Sequence, residues 1–579
     1  MRHQVPFCLS LIALLLLLTP SARAAEEAAS SVFIDRVDVN VVNIEVIVTD
    51  REGHRVPGLT RDDFEIYEDG RQVEISNFYA SAREDRLLRD LEKDRALIAG
   101  EPLAPAKLRE LPEEQQLSLL VYVDHFNIRQ TNRTRVLQEL EGFLEDRIIQ
   151  GDRIMLVGYD RTLEVVQPFT RDRQLIAEGL KSMHQVAAHR QVDDLERRRS
   201  LLMMRQVMRE GGAGNMSRAF EFLRSYVQLA RTDLRQSAQA IRNAVRSLAG
   251  LPGRKAILYV SDGLPQRPGE SLYQHMLDLY GIAELRQRDS LTREKFVDPF
   301  IEALGEDESH LFNAITREAN AHQVTFYTID ARGAHGGSGL SAEFAELSTG
   351  PGGHTTLDNM RNQNLQEPLI AMADATGGSS ILNALSYDKA LAKMADDFDS
   401  FYSLGYATPG GGDGDFHKLE VRVKRPGLKV RHRGGFVDKP LVERVADRTL
   451  SSLLLDMDKN PLGIDLDFGP PAKQRSNYLL PLLVRIPLRA VTLLSNGEVE
   501  EGRLRIFLVV KDERGISDLH DIPYPLSIPR DQLAAARERD VGYTAELKVR
   551  KGRPKVAVGI WDELYGTESY VHKKALVGE

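Results

Sequence analysis

Cysteine occurs once, at position 8, so the rest of the chain has no disulfide, thiolate metal site or cysteine nucleophile, and its domains must be held by their apolar cores. Catalytic signatures are missing as well: there is no His-Glu-x-x-His and no Gly-x-Ser-x-Gly elbow. The glycine-rich stretch 409–415 lacks the Gly-Lys-Ser/Thr ending of a phosphate loop, and no twelve-residue loop with a distal glutamate follows it to hold calcium. It reads as a hairpin turn. His184 and His189 stand five apart, a poor helical metal pair, and the other histidines are scattered. No catalytic residue is therefore assigned. Beyond residue 18 no apolar run is long enough to cross a bilayer, and the net charge of −9 is spread over both signs, which argues against a general nucleic-acid binder.

What is present divides into stretches. Residues 1–24 read as a signal peptide: Arg2 and His3 open it, 11–18 is almost purely apolar, and Ala22-Arg23-Ala24 offers a cleavage site. The expected location is secreted or periplasmic, with no transmembrane segment after cleavage. At 579 residues the chain is too long for one core. Residues 31–82 read as a small N-terminal β domain, with Val37, Val39, Val41 and then Ile44, Val46, Val48 alternating around a turn at 49–53. A charged helical connector spans 83–116. From 117 to 437 strands alternate with helices, the pattern of a doubly wound, mostly parallel α/β sheet. Within it, about 185–250 reads as an inserted helical hairpin turning at 211–215, and Arg197, Arg198 and Arg199 read as a solvated helix face, the alternative being a contact for an acidic partner or lipid surface. Residues 438–478 form a helix and linker, and 479–579 a β-sandwich-like domain of short strands.

The stretch 252–263 anchors this reading. A Pro-Gly-Arg-Lys start leads into an apolar strand that closes in Ser261-Asp262-Gly263, which sets Asp262 just past a strand's carboxyl end, where α/β sheets carry functional groups. The strand 117–123 ends likewise in Asp124.

The order of these motifs carries a resemblance. Strand-Asp124, helix, Gly151-Asp152-Arg153 strand, Phe169-Thr170-x-Asp172, Gly-Arg-Lys strand-Ser261-Asp262-Gly263 and Tyr327-Thr328-Ile329-Asp330-Ala331-Arg332-Gly333 together resemble a von Willebrand factor A (VWA) domain, in particular the secreted bacterial VWFA-related proteins. The Gly-Leu-Thr-x-x-Asp-Phe-Glu-Ile-Tyr-Glu-Asp-Gly motif at 58–70 belongs to the same resemblance, which runs to Phe436. It implies a VWA/Rossmann-like fold with a divalent ion at the sheet's carboxyl edge, held by an Asp-x-Ser-x-Ser loop, a threonine and an aspartate; six oxygens would suit Mg²⁺ or Mn²⁺. Here the loop is Asp124-His125-Phe126-Asn127-Ile128, so Phe126 and Ile128 stand where ligating serines would. Asp262 matches the aspartate, Thr232 is the candidate threonine, and Asn127, Thr131 and Asp160 are auxiliary oxygens for a weakly held ion.

The expectation is thus a secreted, non-enzymatic, protein-binding adhesion or scaffold module. Its metal-ion-dependent adhesion site is degenerate, needs no cofactor, and presents Asp124, His125, Phe126, Asn127, Ser261, Asp262 and Gly263 to an envelope or extracellular protein. The alternative is an extracytoplasmic metal-dependent hydrolase using Asp124, Asp262 and a histidine such as His125.

Overall fold

The computed structural model describes residues 40–81, 116–149, 151–209, 215–274, 276, 307–335, 353–408, 412–513 and 515–578. The expected signal peptide lies outside the described residues, as do the connector except for Gln116, most of 271–288, which the sequence marks as a further helix, and residues 336–352 of the Gly-, Ser-, Thr- and Asn-rich stretch 333–364, which reads as a loop.

Alternating apolar residues in β1 (Asn40–Thr49) point Val42, Ile44, Val46 and Val48 into a core, as period-two patterning demands. The short strands β2 (Phe64–Glu68), β3 (Arg71–Val73) and β4 (Asn77–Ala80) follow. The next six strands are β5 (Leu117–Asp124), β6 (Arg153–Asp160), β7 (Thr162–Thr170), β8 (Arg254–Ser261), β9 (Val324–Asp330) and β10 (Ser380–Ile381). They form one sheet in the order β10-β9-β8-β5-β6-β7. Its central strands β5 and β8 are mostly apolar and buried almost end to end because both faces are covered.

Helices α1 (Gln130–Ile149) and α2 (Arg173–Met183) cover one face. The helices α3 (Arg190–Arg209) and α4 (Asn215–Ser247) come from the insertion. Helix α4 covers the other face together with α5 (Ser309–Ala321) and α6 (Gly353–Thr376), while α7 (Tyr387–Asp399) joins α1 and α2.

After this sheet come β11 (Tyr402–Thr408), β12 (Phe416–Val423), β13 (Lys429–Arg431) and β14 (Gly435–Val437). They pair back onto the start of the chain: the sheets β13-β1-β11-β4 and β14-β12-β2-β3 enclose one core. The strands of 40–80 therefore do not close a sandwich of their own; Ile44 is opposite Leu404 and Ile66 opposite Val421. Helix α8 (Leu441–Leu455) then packs on the C-terminal strands through Val445 and Leu453.

Those strands are β15 (Asp465–Phe468), β16 (Ala472–Gln474), β17 (Asn477–Pro487), β18 (Leu494–Asn496), β19 (Val499–Asp512), β20 (Gly515–Ile516), β21 (His520–Pro529), β22 (Asp540–Val549), β23 (Lys555–Asp562) and β24 (Glu568–Lys574). They form two antiparallel sheets around a shared core that includes Val484, Ile506 and Val558.

The strand pairing corrects the fold class expected from sequence. Among the described residues antiparallel pairing dominates: four of the five sheets are antiparallel throughout, and parallel pairs occur only in the sheet β10-β9-β8-β5-β6-β7, whose edge pair β6/β7 is itself antiparallel. The chain is a predominantly antiparallel β protein with one helix-covered mixed sheet, not an α/β protein built on a doubly wound parallel sheet. Period-two alternation marks a strand without naming its partner, so the pairing of β1 with a strand some 360 residues later had no local signal.

Candidate functional site

Strands β5 and β8 are neighbours in the sheet, so their carboxyl ends place Asp124 and Asp262 on the same edge. Both aspartates are buried, 0% and 1% exposed. The loop after β5 wraps around them. Asp124 accepts from the Asn127 backbone N–H (2.9 Å) and from the Asn127 side-chain amide (3.0 Å), and the Tyr259 hydroxyl donates to it from β8. Asp262 accepts from the Arg129 backbone N–H (3.0 Å) and the Asn132 amide (2.9 and 3.0 Å), while its own N–H donates to the Asn127 carbonyl. Burial pushes both carboxyls up, Asp262 to about 6; the hydrogen bonds from Tyr259 and Asn127 to Asp124, and from Asn132 to Asp262, work against it.

The Ser261 hydroxyl donates to the Asn127 carbonyl (3.2 Å) and accepts from the Gly263 N–H (3.1 Å). Gly263 has φ +97°, and a Cβ there would meet the Leu365 carbonyl oxygen of α6 at 2.4 Å. Only glycine satisfies both the dihedral and the close approach.

His125 points away from this edge into the protein. It is 1% exposed, its Nδ1 meets Arg133 at 2.9 Å, and its Nε2 has no hydrogen-bond partner. Gly158 leaves room for that ring, since a Cβ would stand 2.9 Å from Nε2. Burial, and then the Arg133 charge, push the imidazole down to about 3. Phe126 is half-buried, with the Arg161 guanidinium 4.8 Å from its ring centroid, Tyr159 edge-on at 6.3 Å and His189 at 5.9 Å. Ile128, in the second of the expected ligand positions, is a fully buried core residue.

The remaining candidates are not brought to the aspartates. Thr131 is exposed on the first turn of α1. Thr232 is exposed on α4, and its hydroxyl donates to the Gln228 carbonyl of the same helix (2.9 Å). Asp160 pairs with His189 at 3.0 Å. From α4 it is Ser237 that enters the site, accepting from the Asn127 amide at 3.0 Å.

Sequence reading missed Ser237, Asn132, Tyr259 and a charged hub on the insertion. Asp194 of α3 accepts from Arg129 in the β5 loop and pairs with Arg361 of α6. Burial works to raise its carboxyl, and the guanidinium groups of Arg361, Arg190 and Arg129 override it, holding it at about 2. Asn132 and Arg129 sit close enough to Asp124 in sequence to have been suspected; Asp194 and Arg361 lie 167 residues apart. Beside the hub a cavity of about 140 Å³ opens between the insertion and the sheet edge, lined by Phe126, Asn127, Arg190, Tyr226, Arg361 and Leu365 among others.

Among the described residues, one group of three acidic or imidazole side chains has metal-ligand spacing, and it is not at this edge: Asp50, Glu52 and His54. It belongs to a turn in which Asp50 Oδ1 already accepts the N–H groups of Glu52 and His54.

No family model matches the chain, and no curated protein matches it. The VWA family is therefore not confirmed by comparison. Solved structures with partial similarity include a mutant of the PilB minor pilin from Streptococcus sanguinis, 13% identical with a TM-score of 0.23, covering 50% of this chain and 64% of that one. The pilus adhesin SpaC from Lactobacillus rhamnosus GG in its open conformation is 8% identical with a TM-score of 0.19, covering 89% of this chain and 56% of that one. Human COPII-coat protein Sec24c is 8% identical with a TM-score of 0.23, covering 59% and 48%. This chain thus spans less than two thirds of each of the three, and TM-scores of this size carry no argument about fold or function. Among the described residues no helix is long and apolar enough to cross a membrane.

Proposed function

We propose that this protein is an exported, non-catalytic binding module of adhesion or scaffold type. Its protein partner docks where the 124–129 and 261–265 loops reach the surface, at Phe126, Arg129 and Pro265, and on the adjoining insertion, and docking needs no bound ion. The observation that carries the reading is the state of the two aspartates: both carboxylates of Asp124 and Asp262 are occupied by donors from within the chain. Such carboxylates organise loops, as buried polar groups usually do. The mixed polar and apolar cavity beside them is the kind of surface a partner side chain enters. The hydrolase alternative draws no support from His125, which is buried and engaged with Arg133.

The test is capture of a partner from an envelope extract by the immobilised full chain, with and without chelator, beside a Phe126→Ser variant. Retention that survives the chelator and falls with Phe126→Ser supports the reading. Retention lost on chelation, or tight Mg²⁺ or Mn²⁺ binding by calorimetry, overturns it.

A further inference from the structure

The outward face of the helical insertion is apolar where helix faces are normally polar. Leu195 and Leu202 on α3 are 63% and 50% exposed, Phe222 and Leu229 on α4 are 40% and 53% exposed, and Met203 stands beside them. The spacing is seven residues on each helix, two turns, so each pair lies on one face. The two helices connect through 210–214, so residues equally distant from 212 stand at equal height in an antiparallel pair. Leu195 is level with Leu229, and Leu202 with Phe222.

The opposite face of the same pair is satisfied: Leu201, Val207, Phe220, Leu223 and Val227 form their own cluster with Leu272, Tyr273 and Met276. The arm is thus amphipathic in an unusual sense, with one apolar face packed and a second left to solvent. Five of the fifteen large apolar side chains exposed among the described residues belong to it, a concentration that marks an interaction surface.

Charge decides what covers that face. Residues 195–229 hold seven arginines and no lysine against three acidic residues, in a chain whose net charge is −9; beyond them Arg231 and Arg235 are ion-paired with Glu308, and Arg242 and Arg246 with Glu318. Arg199, one turn from both Leu195 and Leu202, is an exposed member of this set. On α4, Arg218 and Arg224 are exposed around Phe222. A second copy of the arm would bring like charges together, which disfavours self-association. A projecting two-helix face with leucine and phenylalanine between arginines matches a planar anionic interface: the apolar side chains enter the acyl boundary and the guanidinium groups meet the phosphates.

We propose that this face of the α3–α4 arm docks on the surface of an anionic phospholipid membrane. The proposal is separable from partner docking at the sheet edge: Leu229 also lines the cavity there, whereas Leu195, Leu202 and Phe222 do not.

Co-sedimentation of the full chain with vesicles of phosphatidylglycerol and phosphatidylcholine tests it, with pure phosphatidylcholine vesicles in parallel. The expected result is binding to the anionic vesicles that weakens with salt and falls by about tenfold or more in the triple variant Leu195→Ser, Leu202→Ser, Phe222→Ser. A second variant, Arg198→Glu with Arg199→Glu, keeps the apolar face and is expected to lose the preference for anionic lipid; circular dichroism of both variants checks that the helices persist. No sedimentation of the wild type, equal binding to both vesicle types, or binding unchanged in both variants overturns the proposal. So does tighter binding of an acidic amphipathic helical peptide than of vesicles, if the triple variant abolishes it, since the face would then be a protein site.

Discussion

The Tyr259 hydroxyl on β8 donates to the Asp124 carboxylate on the neighbouring strand, and both groups are fully buried. Tyr259 also lies opposite Tyr122 in the strand register and packs on its ring at 5.2 Å. One hydrogen bond therefore ties the two strand ends that carry the site, beneath a tyrosine cluster covered by α4.

Removing that donor has a defined cost. Tyr259→Phe keeps the ring packing and leaves Asp124 with Asn127 alone, so stability is expected to fall by about 1–3 kcal/mol in urea titration. The Asp124 carboxyl is expected to move further up, since the Tyr259 hydrogen bond is the main influence holding it down. A change under ~0.5 kcal/mol would mean that the bond is not made in solution.

Gly263→Ala combines a left-handed dihedral with a clash against the Leu365 carbonyl. The expected loss exceeds about 1 kcal/mol, and because the displaced element is α6, protection from hydrogen exchange is expected to fall around 365–369 as well as in the loop itself. A neutral result in thermal unfolding counts against the close approach.

Asp194→Asn leaves Arg129 and Arg361 without their shared carboxylate. Breaking a largely buried charge cluster in this way is expected to cost on the order of 3 kcal/mol. The loss is local: limited proteolysis is expected to open 190–209 before the sheet unfolds. Cleavage sites unchanged from wild type would contradict a structural role for the hub.

At this site two groups push the pH dependence of stability in opposite directions. His125 has a folded pKa of about 3, below its ordinary value near 6.5, so its contribution is present above that value and is lost as pH falls toward 3. Asp262 has a folded pKa of about 6, above its ordinary 3.8, so its contribution is present below pH 4 and is lost as pH rises through 6. Comparing wild type with His125→Asn isolates the first: from pH 6 down to pH 4 the wild type is expected to lose stability relative to the variant by up to about 1.4 kcal/mol per unit. Parallel curves for the two proteins would show that the imidazole titrates normally and is accessible.

The site was legible in sequence only as two aspartates and a loop. Strand ends followed by Asp124 and Asp262 were visible because apolar runs closed by polar turns mark the edges of covered strands. The replacement of ligating positions by Phe126 and Ile128 was visible too, and Ile128 proves to be core. Thr232 was chosen by its distance along the chain, whereas the rotation of α4 presents Ser237 to Asn127 and leaves Thr232 in solvent. His125 read as part of the exposed edge, yet the turn after β5 directs it inward onto Arg133.

The sequence by itself determined where strands and helices form along most of the chain, since patterning of period two and period 3.6 follows from which faces must leave water. It also determined the arginine-rich composition of the insertion and the absence of thiol chemistry after residue 8. Only the tertiary structure decided which strands pair. Hydrogen bonding between strands is indifferent to distance along the chain, so β1 closed with β11 and four of the five sheets formed antiparallel, against the class that the alternation of strands and helices suggested. The same structure decided that Asp194, Arg129 and Arg361 meet, because a buried charge cluster forms where packing brings its members together, whatever their separation in sequence.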